Sequence, residues 1–250
     1  MIDLKRANEA FDNYVKNYDM SNEKISLKYY HTYRVCEQSI AISKSLNLSK
    51  EDTDIAYLIA LLHDIGRFEQ IKVYDTFDDE KSIDHALFGC KILFEEGLIR
   101  EFTIDDSYDE IIRKAIFNHN KFTVQEGLDE RELLHSKIIR DADKIDIIYN
   151  ATDLGQIKLN DDDSEISEKV KESFFKENIV SKLDMKTHND TIMVKFAFVF
   201  DLNFKYSYEY FRDNDFVNKM YDKLKNKSIF KEYVDELNKY IEGKCNDVRN

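Results

Sequence analysis

The chain has 250 residues, 37 Lys+Arg against 50 Asp+Glu and a formal charge of −13, with 42% of residues hydrophobic and 35% charged. That balance describes a soluble globular chain long enough to bury a sizeable core. With 13% aromatic residues it is no disordered polymer. Its acidity argues against a duplex-nucleic-acid binder, which needs a positive face for phosphates. No apolar run approaches the ~18 residues of a membrane span.

In chain order, MIDLKRANEAFDNYVKNYD is charged throughout and lacks the apolar stretch of a secretory leader. His31, Val35, Ile42 and Leu46 fall on one face of a predicted helix. Asp54 to Phe68 predicts another, carrying Leu58, Leu61, Leu62 and Ile65. Ser82 or Asp84 caps a helix that passes Phe88, Ile92 and Leu93 and stops near Gly97. Further stripes are Ile112, Ala115, Ile116 and His119, then Leu134, Ile138, Ala142, Ile145 and Tyr149. The run LNDDDSEISEKVKESFFKEN is acidic and then amphipathic, a solvated loop leading into a helix. From Phe196 to Tyr210 every second residue is Phe, Leu or Tyr, as in a strand. A 15-residue strand would be long, and Met193, Phe196, Phe200, Phe204, Tyr208 and Phe211 also form a helical stripe, so helix is the expectation.

Pro is absent and Gly numbers only 6. This favours helices joined by Asn, Asp and Ser loops, hence an all-α fold. The three cysteines, Cys36, Cys90 and Cys245, are widely spaced without a CxxC pair. They read as free thiols of a reducing, cytoplasmic compartment.

Chemistry concentrates in LIALLHDIGRFEQ. His63 and Asp64 lie near the end of an apolar helix, where a charged carboxylate is costly unless compensated. A divalent metal would compensate it, imidazole and carboxylate being ordinary ligands for Mn²⁺, Fe²⁺, Co²⁺, Ni²⁺ or Zn²⁺; a helix-end hydrogen bond would also account for the pair. Five of the six histidines lie between residues 31 and 135. Singly, His31, His85 and His119 each read as a satisfied core or helix-end histidine. Together with His63, Asp64 and Asp143 they make a His/Asp set that chance packing does not explain.

This pattern resembles the HD superfamily of metal-dependent phosphohydrolases over about residues 25–150, through LLHDIGR and RDADKID. The resemblance implies an HD-domain helical bundle; residues about 151–250 carry no motif and are read as a helical extension, the whole chain forming one all-α domain. The resemblance also implies metal ligation by His31, His63, Asp64 and Asp143. In branches that hold two metals, His85 and His119 would be added and Asp64 would bridge; with one metal they would instead serve the phosphate or donate a proton. One or two divalent ions (Mn, Fe, Co, Ni, Zn or Mg) are thus implied, with hydrolysis by metal-activated hydroxide of a small phosphate ester or anhydride, a nucleotide first among them. The alternatives are an HD-type di-iron oxygenase and a non-catalytic metal- or nucleotide-binding module. The segment after His119 lacks the Gly-Tyr-Pro element of the cyclic-di-GMP phosphodiesterase branch, which argues against that substrate.

Asp64, Arg67 and Lys144 are the expected catalytic residues. Arg67 reads equally as a phosphate ligand or a surface ion pair, and Lys144 as a phosphate ligand or a lysine on a solvated face. Asp141, about 200° from Asp143 on a helix, orients a ligand or pairs with Lys137; Asp84 caps its helix. His135 and His188 read as surface residues. A small phosphorylated substrate is the expected partner, without duplex nucleic acid or membrane; a homo-oligomer is left open.

Overall fold

The computed structural model describes residues 2–247 and is all-α, with no strand among the described residues. The chain divides into two compact units, Met1–Ala142 and Asp143–Asn250. No described helix is long and apolar enough to cross a membrane.

The first unit holds α1 (Leu4–Val15), α2 (Glu23–Ser45), α3 (Lys50–Leu62), α4 (Ile65–Tyr74), α5 (His85–Cys90), α6 (Ile99–Phe102), α7 (Asp109–Asn118) and most of α8 (Glu130–Tyr149). Side-chain oxygens cap several of these helices. Asn22 accepts from Lys24 N, Ser49 from Asp52 N, and Asp84 from the amides of Ala86 and Leu87. With glycine scarce, Asn47, Asp75, Glu177 and Asp215 take left-handed backbone conformations, three of them the Asn and Asp that tolerate φ > 0 best.

α3 is the centre of this unit. Asp54, Ile55, Ala56 and Leu58 through Leu62 are all buried, so it is covered on every side. Val35 and Ile42 of α2, Phe68 of α4 and Ile112 and Ile116 of α7 complete the core. The expected continuous helix from Asp54 to Phe68 is broken. α3 ends at Leu62, Asp64 leaves helical geometry at φ −107°, ψ 17°, and α4 starts at Ile65. Two apolar helices thus meet at the His63–Asp64 dipeptide, which places both side chains in the interior.

Gly66 fixes how closely α4 meets α5. A Cβ built on Gly66 would lie 2.4 Å from the His85 carbonyl oxygen and 2.7 Å from the Gly89 nitrogen. Only hydrogen fits there, and the contact brings the start of α5, with His85, against the start of α4. Beyond α5 the chain makes a π-helical turn over Lys91–Glu95 and leaves through Gly97 at φ +81°, near the stop the sequence predicts.

The second unit continues α8 and adds α9 (Glu168–Phe175), α10 (His188–Phe196), α11 (Lys205–Asp213), α12 (Phe216–Asp222) and α13 (Lys227–Asn246). The loop-then-helix reading of 159–178 holds, since α9 follows an irregular acidic segment. The aromatic segment is helical but not one helix. After α10 come a 3-10 turn over Ala197–Asp201 and extended backbone at Leu202, and then α11. The Tyr208 hydroxyl donates to the Leu202 carbonyl at 2.5 Å and satisfies the break that Asp201 and Asn203 frame. Phe174, Phe196, Phe211, Phe216, Phe230 and Tyr233 are fully buried. They pack edge to face, Phe174 on Tyr233 at 5.1 Å and Phe211 on Phe216 at 5.2 Å. All three cysteines are free and buried.

Candidate metal centre

His31, His63, Asp64, His85 and His119 converge in the first unit, all buried. His31 comes from the inner face of α2, and His63 and Asp64 from the α3–α4 joint. His85 opens α5, and His119 closes α7. Asp64 is the hub. Its Oδ2 lies 3.5 Å from His31 Nε2 and 3.4 Å from His63 Nε2, and its Oδ1 lies 3.3 Å from His85 Nε2 and 3.7 Å from His119 Nε2. Two donor sets therefore share one carboxylate: His31, His63 and Asp64, and Asp64, His85 and His119, each with donor atoms within 4.8 Å of one another.

The outer nitrogens show which atoms face the centre. Nδ1 of His63 is 2.7 Å from the Ala60 carbonyl oxygen, and Nδ1 of His119 is 2.6 Å from that of Ile116. Nδ1 of His85 is 2.7 Å from Asp79 Oδ2. A carbonyl or carboxylate oxygen only accepts, so each ring places its proton outward and turns Nε2 inward. Nε2 of His85 and Nε2 of His119 stand 3.0 Å apart. Two imidazole lone pairs at that distance repel, and a shared cation relieves them. The donor chemistry, neutral imidazoles around one carboxylate, fits a divalent transition metal.

The charge state agrees. Burial alone would raise the Asp64 carboxyl, but the Lys28 ammonium beside it outweighs that, and the group lies well below the usual carboxylate range. His85 is pushed down to about 4, chiefly by burial, although its hydrogen bond to Asp79 acts the other way. At neutral pH the centre therefore pairs an ionised carboxylate with a neutral, ligand-competent imidazole.

Lys28 is absent from the sequence reading. It lies three residues before His31, hence on the same face of α2, and its ammonium forms an ion pair with Asp64 Oδ2. That i−3 spacing was the available signal. Asp79 stands in the polar segment TFDDEKS and Gln70 at the end of LIALLHDIGRFEQ, and neither carries a local sign of its partner.

The expected catalytic cations are both held by carboxylates. The break at Asp64 turns Arg67 aside. Its Nη1 lies 2.7 Å from Asp79 Oδ1, 2.7 Å from Gln70 Oε1 and 2.8 Å from the Phe77 carbonyl oxygen, while Nε is 3.6 Å from Asp64 Oδ1. Lys144, in the second unit, is not on a solvated face. It is buried, with Nζ 2.6 Å from Asp201 and 5.6 Å from the Phe198 ring centroid. Asp143 stands half-buried on α8, and Asp141 is fully buried. Asp84 caps α5 as expected and also pairs with Lys121.

His188 is exposed, as read, but His135 is not a surface residue. It is 1% exposed, with Nε2 3.2 Å from Asp52 Oδ1. It lies three and seven residues before Ile138 and Ala142, so it belongs to the buried stripe of α8, and Asp52 at the start of α3 supplies its acceptor.

Against known proteins, residues 29–148 match the family model for the HD domain. No curated protein and no solved structure matches the chain.

Proposed function

We propose, from the HD domain that the chain carries over residues 29–148, that this protein is a metal-dependent phosphohydrolase acting on a small phosphate ester or anhydride, first of all a nucleotide. That domain marks a superfamily made up largely of metal-dependent phosphohydrolases. The observation that carries the reading to this chain is the shared carboxylate: Asp64 presents one oxygen to His31 and His63 and the other to His85 and His119. In this reading these five residues hold two divalent ions, and Asp143 keeps the ligand role that the family motif implies. When bound, the ions supply Lewis acidity toward a phosphoryl oxygen and lower the pKa of water.

The chain's own residues do the rest. Outward Nδ1 contacts lock the imidazoles of His63, His85 and His119, so the centre is organised before substrate arrives. Lys28 is the cation placed to meet a substrate phosphate: like Arg67 and Lys144 it is paired with a carboxylate, but its partner is Asp64 of the centre itself, whereas theirs are Asp79 and Asp201. The burial of His31, His63, Asp64, His85 and His119 restricts access to a small reacting group. A chain of charge −13 suits a compact ligand drawn by metal better than a polyanion.

The test is phosphate release from nucleotides and phosphomonoesters with Mn²⁺, Fe²⁺, Co²⁺ and Mg²⁺ in turn, wild type beside Asp64→Ala. Release by the wild type alone is expected. No release with any metal overturns the reading, and oxygen uptake with iron would then assign the oxygenase chemistry instead.

A further inference from the structure

The connection between α4 and α5 approaches the centre without supplying any of its expected ligands. Asp79 lies in it and divides its carboxylate between two tasks. Oδ2 accepts from His85 Nδ1 at 2.7 Å, and Oδ1 accepts from Arg67 Nη1 at 2.7 Å and Gln70 Nε2 at 2.9 Å. Gln70 is fully buried in α4, and its amide also reaches Ser82 Oγ at 2.8 Å and the Ile83 carbonyl oxygen at 2.9 Å. Arg67 takes the Phe77 carbonyl oxygen at 2.8 Å. Two side chains one turn apart on α4 thus clamp both ends of the segment, from Phe77 to Ile83, and hold Asp79 between them.

We propose that Asp79 is a positioning residue that makes His85 a metal ligand, and that Arg67 and Gln70 act through Asp79 rather than on the substrate. An imidazole carries one ring proton when neutral. By drawing it to Nδ1, Asp79 leaves Nε2 as the donor toward Asp64 and His119, and it fixes the ring plane at the same time. Arg67 supplies the charge that keeps a half-buried carboxylate in place, so its guanidinium is spent inside the protein. The expectation that Arg67 grips phosphate is thereby replaced. This inference rests on the metal-centre reading above, and it applies to the His85–His119 half alone.

Two measurements test it. The first is ¹⁵N NMR of the histidine side chains in the metal-free protein near neutral pH, which reads the tautomer directly. His85 should carry its proton on Nδ1 in the wild type and lose that preference in Asp79→Ala. An Nε2-protonated His85 in the wild type overturns the proposal, whatever metal the protein binds. The second is metal titration by calorimetry, with folding checked by circular dichroism. In Asp79→Ala one of two bound ions should weaken about 10- to 100-fold, while Asp79→Asn, which keeps an acceptor oxygen, should recover most of it. Arg67→Gln should weaken the same ion and Arg67→Lys should restore it. Two ions bound by Asp79→Ala with wild-type affinity would refute the role of Asp79. A raised KM with unchanged metal affinity in Arg67→Gln would return Arg67 to the substrate. A wild type that binds no metal fails the metal-centre reading and, with it, the ligand role proposed for His85.

Discussion

Two fully or nearly buried carboxylates, one in each unit, are satisfied in opposite ways. Asp190, at the start of α10, accepts from the backbone amides of Ser167, Lys186 and Thr187 and from the Ser167 hydroxyl. Its charge is absorbed by neighbouring loops, and Asn189 beside it binds the Asp162 and Ser164 carbonyl oxygens. Asp64 is met instead by the Lys28 ammonium, with the Arg67 guanidinium 3.6 Å away, and it faces four imidazole nitrogens that await a cation. Backbone amides are permanent and hold a loop; imidazoles and an ammonium can exchange partners with a metal or a phosphate. Burial of charge therefore marks a working site only where the compensation is exchangeable, and the first unit alone shows that pattern among the clusters described.

Breaking the exchangeable arrangement should cost most. Asp64→Ala removes the carboxylate common to both donor sets. Metal binding should vanish in a titration, and turnover should fall about 10³-fold or more, since metal assistance is worth several kcal/mol at the transition state. Asp190→Ala tests the other kind. Several buried donors lose their acceptor, so urea unfolding should report a loss of about 3 kcal/mol, while metal stoichiometry stays that of the wild type. Loss of metal in that variant would erase the distinction between the two carboxylates.

A smaller effect is expected from Gly66→Ala, where the new Cβ meets the His85 carbonyl oxygen at 2.4 Å and backbone must shift. Overpacking of this kind costs about 1–3 kcal/mol. Chemical denaturation should show it, together with weaker binding of the ion assigned to His85.

The smallest effect is a difference in pH dependence. Burial lowers the His135 pKa below its ordinary value, so as pH falls the unfolded chain binds the proton first. The stability that neutral His135 contributes is present above about pH 6.5 and is lost as pH falls below it, by at most ~1.4 kcal/mol per pH unit. Asp190 is lowered despite its burial, because the amides and hydroxyl around it favour the charged form. Its contribution is present above about pH 3.9 and is lost only below that. Urea midpoints measured across pH for the wild type, His135→Gln and Asp190→Asn should separate the two windows. Coincident profiles for the wild type and His135→Gln would remove His135 from the first.

Much of the centre was legible as residue types. His31, His63, Asp64, His85 and His119 stand at helix faces and helix ends that hydrophobic periodicity locates, and the start of α5 at Asp84 followed from capping chemistry. His135 was legible in principle, being on the stripe of Ile138 and Ala142, but a single histidine carries no sign of its acceptor on another helix. The break within 193–211 had only Asp201 and Asn203 to announce it, against a helical stripe that runs through both sides.

By itself the sequence determined the all-α class, the positions of most helices and the histidines and the aspartate, His31, His63, Asp64, His85 and His119, that meet at the centre, because periodicity, capping and ligand chemistry are local properties of neighbouring residues. Only the tertiary structure decided which charges are already spent. Arg67 is drawn to Asp79 and only flanks Asp64 through Nε at 3.6 Å, Lys144 is drawn to Asp201, and Lys28 makes the close ion pair with Asp64. Those pairings are set by distances between elements far apart in the chain and by the close approach at Gly66. Coulomb energy in a poorly solvated interior depends on those distances, and no spacing along the sequence encodes them.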